Sequence, residues 1–144
     1  MKKIIISIII LSFITSCEDR MKDLNYLKTG KNVQLLYLDS IESVDEMVSE
    51  KYVNGRKVLK EFKLNELEKE SLIKTIIKKD NYEPLTRKCK FVPVYAIKID
   101  NAIVAVIDVE FCPALEYYEE NGSSKILQLK TNSALKTELE KLIK

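Results

Sequence analysis

The sequence predicts an α+β fold, an antiparallel sheet of hairpins with two amphipathic helices on one face. Three observations predict it. Short runs rich in β-branched and aromatic residues flank Asn54-Gly55, Asp100-Asn101 and Asn121-Gly122, pairs suited to tight turns. Two segments, opening at Asn65 and Ser133, repeat apolar residues at helical spacing. Strands joined by tight turns are antiparallel, and helices accompanying such a sheet make the class α+β.

The elements follow in order. Val33 to Leu38 (VQLLYL) is a strand, and residues 40–50 show no clear period. Asn54-Gly55 then closes a hairpin whose second strand places Val58, Phe62 and Leu64 on one face. Asn65 caps the first helix, with Glu68 three places on as the partner of a capping box. Its apolar stripe is Leu67, Leu72, Ile73, Ile76 and Ile77, and its end falls near Lys79 or Asp80. Residues 89–112 form a hairpin around Asp100-Asn101, and 115–119 pairs with 125–129 around Asn121-Gly122. The last helix spans 133–143, with Leu135, Leu139, Leu142 and Ile143 on one side.

The N-terminus reads differently. Lys2 and Lys3 precede an apolar run from Ile4 to Ile14, interrupted by Ser7 and Ser12. The run is shorter than the ~20 residues a spanning helix requires and fits a signal-peptide core. Ile14-Thr15-Ser16-Cys17 resembles the lipobox of bacterial lipoproteins. That resemblance implies cleavage before Cys17 and a diacylglyceryl group on its thiol. Two or three acyl chains would then hold the protein on a membrane that it does not span. The organisation expected is a signal peptide over 1–16, a lipidated cysteine and flexible tether over 17–31, and one domain over 32–144. The destination implied is the cell envelope, at the outer membrane or cell surface, with the leaflet left open.

Composition narrows the function classes. The chain has 24 Lys plus Arg and 22 Asp plus Glu. Loss of Lys2 and Lys3 leaves 24 − 2 = 22 against 22, so the mature chain is formally neutral. Nucleic-acid partners, which demand many neutralised phosphates, are not expected. The chain contains no histidine, the commonest general base and zinc ligand. Its three glycines stand at none of the spacings of phosphate-binding loops. No cofactor, metal site or catalytic set is expected.

With Cys17 assigned to lipid, Cys89 and Cys112 remain, and an oxidising compartment favours a disulfide between them. A redox pair is the alternative, although such pairs usually sit as Cys-X-X-Cys, a spacing absent here. A hairpin centred between residues 100 and 101 places Cys89 opposite Cys112. A four-residue loop, 99–102, sets Pro93 opposite Asp108 in a position where its missing N–H does no harm, with the cysteine Cα atoms about 4.5 Å apart. In this register Val92, Val94, Ala96, Ile103, Ala105, Ile107, Val109 and Phe111 share the helix-covered face. Tyr95, Ile97, Val104, Val106, Asp108 and Glu110 share the other, only partly covered. The Cys89, Pro93 and Phe111-Cys112 pattern also resembles small bacterial lipoproteins with paired cysteines, a resemblance that implies no activity.

Asp108 and Glu110, with Tyr117 and Tyr118, are the candidate surface patch. Two carboxylates on one face have the crude spacing of acid–base pairs, and cross-strand charge pairing is the simpler reading. Tyr117-Tyr118 would supply either an aromatic anchor for a partner or one core ring and one rim ring. The function expected is a lipid-anchored, non-catalytic binding or structural module touching the membrane and another envelope protein. The alternatives are an inhibitor or immunity-type lipoprotein, favoured by a protruding or strongly charged 113–124 loop, and an enzyme using Asp108 and Glu110.

Overall fold

The structure, a computed structural model, describes residues 23–42, 48–49 and 51–144. The leader, Cys17 and the tether up to residue 22 lie outside the described residues. Among the described residues nine strands form one antiparallel sheet in the order β2-β3-β4-β1-β6-β7-β8-β9-β5. The strands are β1 (Val33–Glu42), β2 (Val48–Ser49), β3 (Tyr52–Val53), β4 (Arg56–Lys63), β5 (Tyr82–Glu83), β6 (Tyr95–Ile99), β7 (Ala102–Asp108), β8 (Ala114–Tyr118) and β9 (Ser124–Leu129). Two α-helices, α1 (Glu66–Ile76) and α2 (Ala134–Leu142), pack on each other and on one face of the sheet. The α+β class is as the sequence predicted, with the sheet dominant.

Helix α1 starts where its capping box dictates. The Glu68 N–H donates to Asn65 Oδ1 at 3.0 Å, and the Asn65 N–H donates to Glu68 Oε2 at 2.9 Å. It stops short of Lys79 because downstream side chains take its last carbonyls. Asn81 Nδ2 donates to the Thr75 carbonyl at 2.7 Å and the Tyr82 hydroxyl to the Ile76 carbonyl at 2.6 Å, satisfying groups a helix end leaves open. Burial pushes the Tyr82 hydroxyl's pKa well above its ordinary value. Leu72, Ile73 and Ile76 are buried, whereas Leu67 is 79% exposed. At 3.6 residues per turn, Leu67 lies half a turn out of phase with Ile76, so it leaves the expected stripe. In α2, Ser133 Oγ accepts from the Leu135 N–H at 3.2 Å, and Leu135 and Leu139 are fully buried.

The tether expectation is corrected over residues 23–31. Asp23–Lys28 forms a 3-10 helix, and Leu24 and Leu27 have 0% and 1% of their surface exposed, within the main core. Two leucines three apart present one face in a 3-10 turn, which seals the core beside α1. Gly30 lies so close to Ile99 that a Cβ there would meet Ile99 Cγ2 at 2.1 Å. The folded unit therefore includes residues on the N-terminal side of Asn32.

The β6–β7 register is also corrected. Asp100 and Asn101 both have positive φ, 47° and 74°, and Ile99 pairs with Ala102. This is a two-residue turn of the mirror-image kind that matches strand twist, in place of a four-residue loop. Beyond it, Lys98 pairs with Ile103 but Ile97 pairs with Ala105, leaving Val104 as a bulge. One extra residue on one strand shifts every later pair. Tyr95, Ile97, Ala105, Ile107 and Val109 therefore share the helix-covered face, while Ala96, Ile103 and Val106 share the other. Pro93 lies before β6, outside the ladder, so it does not pair with Asp108.

The face away from the helices is partly covered, with a smaller buried cluster of its own and Ile126 of β9 exposed. Leu36, Leu38, Ala96 and Val106 are buried there with Val53, and Val58, Phe91 and Tyr118 pack around them. The β3–β4 turn curls across this face until Asn54 Nδ2 donates to the Tyr118 hydroxyl at 2.8 Å.

Candidate functional site

Asp108 and the two cysteines meet where the chain crosses from β5, at one edge of the sheet, back to β6 near its centre. Residues 84–94 make this crossing as a strap without regular structure. A backbone without a ladder must find other partners for its N–H groups, and three pins supply them or tie the strap covalently. At the edge, Gln128 Oε1 accepts from the Thr86 and Arg87 N–H groups at 2.9 and 3.0 Å. Its Nε2 donates to Glu83 at 2.6 Å, and Arg87 bridges Glu83 to Thr131. In the middle, Cys89 is bonded to Cys112, with Cα atoms 5.6 Å apart, an ordinary disulfide separation. Further on, Asp108 Oδ2 accepts from the Val92 N–H at 2.8 Å.

Asp108 does more than hold the strap. The same Oδ2 accepts from the Cys112 N–H, and Oδ1 accepts from the Glu110 and Phe111 N–H groups, each at 2.9 Å. The carboxylate has 0% exposure and four backbone donors. Charge-assisted bonds of this kind compensate for the desolvation of a buried carboxylate. They also shape the 109–112 bend that presents Cys112 to Cys89. Every lone-pair direction facing the protein is used to order the chain.

The four residues expected as one surface patch are separated. Asp108 and Tyr117 are both fully buried, Tyr117 in the core beneath the helices. Strand alternation sends Tyr118 to the opposite face, half-buried against Asn54. Burial raises its hydroxyl pKa. Glu110 turns toward α2 and pairs with Lys136 at 2.9 Å, which holds Lys136 above the usual lysine pKa. Asp108 and Glu110 thus have different partners and do not face a common cleft. The 113–124 region, where a protruding loop would favour the inhibitor reading, is mostly β8 followed by a tight turn at 119–123.

Sequence reasoning missed Gln128 and the buried Arg56. The Arg56 guanidinium donates to the Asp39 and Ser40 carbonyls and pairs with Glu42 at 3.7 Å. Glu42 also pairs with Lys90 of the strap at 3.6 Å. The available signal was a polar residue inside an apolar run, as in Ile126-Leu127-Gln128-Leu129 and Val106-Ile107-Asp108-Val109. Such a residue marks either a wet face or a buried hydrogen-bond hub, and the run itself does not distinguish them.

An open groove of about 460 Å³ lies between the 3-10 helix and α1, lined by Lys28, Lys69, Lys74, Glu66, Glu70 and Ile73 along with Ile77. None of the four candidate residues reaches it. Among the described residues no group of acids and cysteines is placed to hold a metal, and no helix is long and apolar enough to cross a membrane. No protein-family model, curated protein or solved structure matches the chain.

Proposed function

We propose that this protein is a lipid-anchored lipoprotein of the cell envelope, acting as a non-catalytic binding or structural module. The observation that carries the reading is the leader ending in Ile14-Thr15-Ser16-Cys17. The Cys89–Cys112 disulfide supports it, since such bonds persist in oxidising compartments outside the cytosol. Engagement of Asp108 by four backbone N–H groups supports the non-catalytic part. A carboxylate so held would have to abandon the strap before meeting a substrate. The N-terminal segment enters the domain at Asp23, six residues after Cys17, a reach of roughly 20 Å at full extension. An anchored domain would therefore sit close to its membrane.

The test is expression of the full chain in a bacterial host, followed by mass analysis of the mature N-terminal peptide. The expected peptide begins at Cys17 and carries acyl mass. A free N-terminus at another residue, or Cys17 without acyl mass, overturns the anchor. Cross-linking in intact cells then identifies which envelope protein, if any, the anchored domain touches.

A further inference from the structure

Two of the three glycines follow asparagine, at Asn54-Gly55 and Asn121-Gly122. Asn-Gly is the sequence in which an asparagine side chain is most open to attack by the next backbone nitrogen, because glycine offers no side chain to obstruct the approach. The structure gives the two pairs different surroundings, and we propose that Asn121 is a site of spontaneous conversion to aspartate and isoaspartate in the folded protein while Asn54 is protected.

At the β8–β9 turn, residues 120–123 are all exposed. Gly122 has φ +82°, and among the described residues nothing lies within 4 Å of the place a Cβ would take. The Ser123 N–H donates to Asn121 Oδ1 at 2.8 Å. That donor polarises the side-chain carbonyl and faces the oxygen on which negative charge develops during attack. The Gly122 N–H donates to the Glu119 carbonyl of the same turn, at 2.9 Å. Freeing it takes a local opening of an exposed turn, the least costly motion a fold offers.

The chemistry needs no enzyme. The Gly122 backbone nitrogen loses its proton and attacks Asn121 Cγ. A new Cγ–N bond forms, the bond from Cγ to Nδ2 breaks, and Nδ2 leaves as ammonia with that proton. Water then opens the five-membered imide at either carbonyl, giving aspartate or isoaspartate. Either product adds a carboxylate beside Glu119 and Glu120, and the second inserts an extra backbone atom at the tip.

At the β3–β4 turn the same dipeptide is held closed. Asn54 has φ 49° and Gly55 φ 71°, the paired positive values of a tight two-residue turn. Gly55 is buried and Asn54 half-buried. Asn54 Nδ2, the leaving group of the same reaction, donates to the half-buried Tyr118 hydroxyl at 2.8 Å, whereas Asn121 Nδ2 makes a long, exposed contact of 3.5 Å with Glu119. Attack there would require the turn to leave the sheet face that it covers.

The test is peptide mapping of the full chain after incubation at mildly alkaline pH, folded and in urea. In the folded protein the Asn121 peptide should convert about tenfold or more faster than the Asn54 peptide, the ratio expected when only one site opens locally. In urea the two rates should converge. Tyr118→Phe should raise the Asn54 rate severalfold and leave Asn121 unchanged. Equal rates at the two sites in the folded wild-type protein, or an inert Asn121 over a period in which urea-unfolded protein converts, would overturn the proposal. The wild-type comparison decides it even if Tyr118→Phe fails to fold.

Discussion

The β6–β7 hairpin carries a carboxylate at each end. At its turn, exposed Asp100 accepts from the Lys31 and Asn32 N–H groups at 3.3 and 3.0 Å, and from the Asn32 side chain at 3.3 Å. At its far end, Asp108 accepts from four backbone N–H groups with no surface exposed. Both carboxylates clasp an incoming segment, the start of β1 at one end and the strap at the other. Water can replace the partners of Asp100 if the clasp opens. It cannot reach those of Asp108 without unfolding the bend around Cys112. Burial, more than the type of bond, decides how much a clasp matters, because a buried donor left alone bears its full desolvation penalty.

The comparison can be broken at the Asp100 end first, where the clasp is weak but the segment it guides is not. A chain beginning at Asn32 loses Leu24 and Leu27 from the core. It should lose about 5 kcal/mol or more in urea unfolding, a large share of a small domain's stability. A loss under about 1 kcal/mol would mean that the 3-10 helix is an ornament of the fold.

At the other end, Asp108→Ala should cost about 4 kcal/mol, since four N–H groups lose a charged acceptor in a dry site. Asp108→Asn should cost about half as much, because one oxygen remains to accept. Near-neutral values for both would show that water reaches the bend. The double change Cys89→Ser with Cys112→Ser follows at about 3 kcal/mol in the chain-entropy description of a loop this long. The strap should then stay in place on Gln128 and Asp108, which amide exchange at Val92 would report as continued protection.

Asp100→Asn should have the smallest effect, and one that depends on pH. Backbone donation from Asn32, then from Lys31, holds the Asp100 carboxyl below its ordinary pKa. A carboxyl lowered in the folded state stabilises above its unfolded pKa and loses that contribution as pH falls through its folded value. Wild-type and Asp100→Asn urea midpoints should therefore differ at neutral pH and converge in acid. A constant difference across that range would assign the effect to shape instead of charge.

Short-range information accounts for what is legible in the sequence. The Asn65–Glu68 capping box, the Asn-Gly and Asp-Asn turns and the pairing of Cys89 with Cys112 each depend on residues close in sequence or on simple counting. The register shift at Val104 is not legible there, because a bulge is chosen by how both faces of β7 pack and the strand's own alternation does not announce it. The candidate patch dissolves for the same reason. Asp108, Glu110, Tyr117 and Tyr118 are near in sequence, but one strand end, one helix contact and two opposite sheet faces claim them.

The sequence by itself determined where the tight turns fall, where the two α-helices start, and which cysteines join. These follow from local backbone preference, side-chain capping and the count of cysteines. Only the tertiary structure decided that Leu24 and Leu27 close the core, that a strap crosses the second face, and that Asp108 is spent on holding it. Burial and hydrogen-bond satisfaction belong to the assembled neighbours of a residue, which the chain brings together from far apart in sequence.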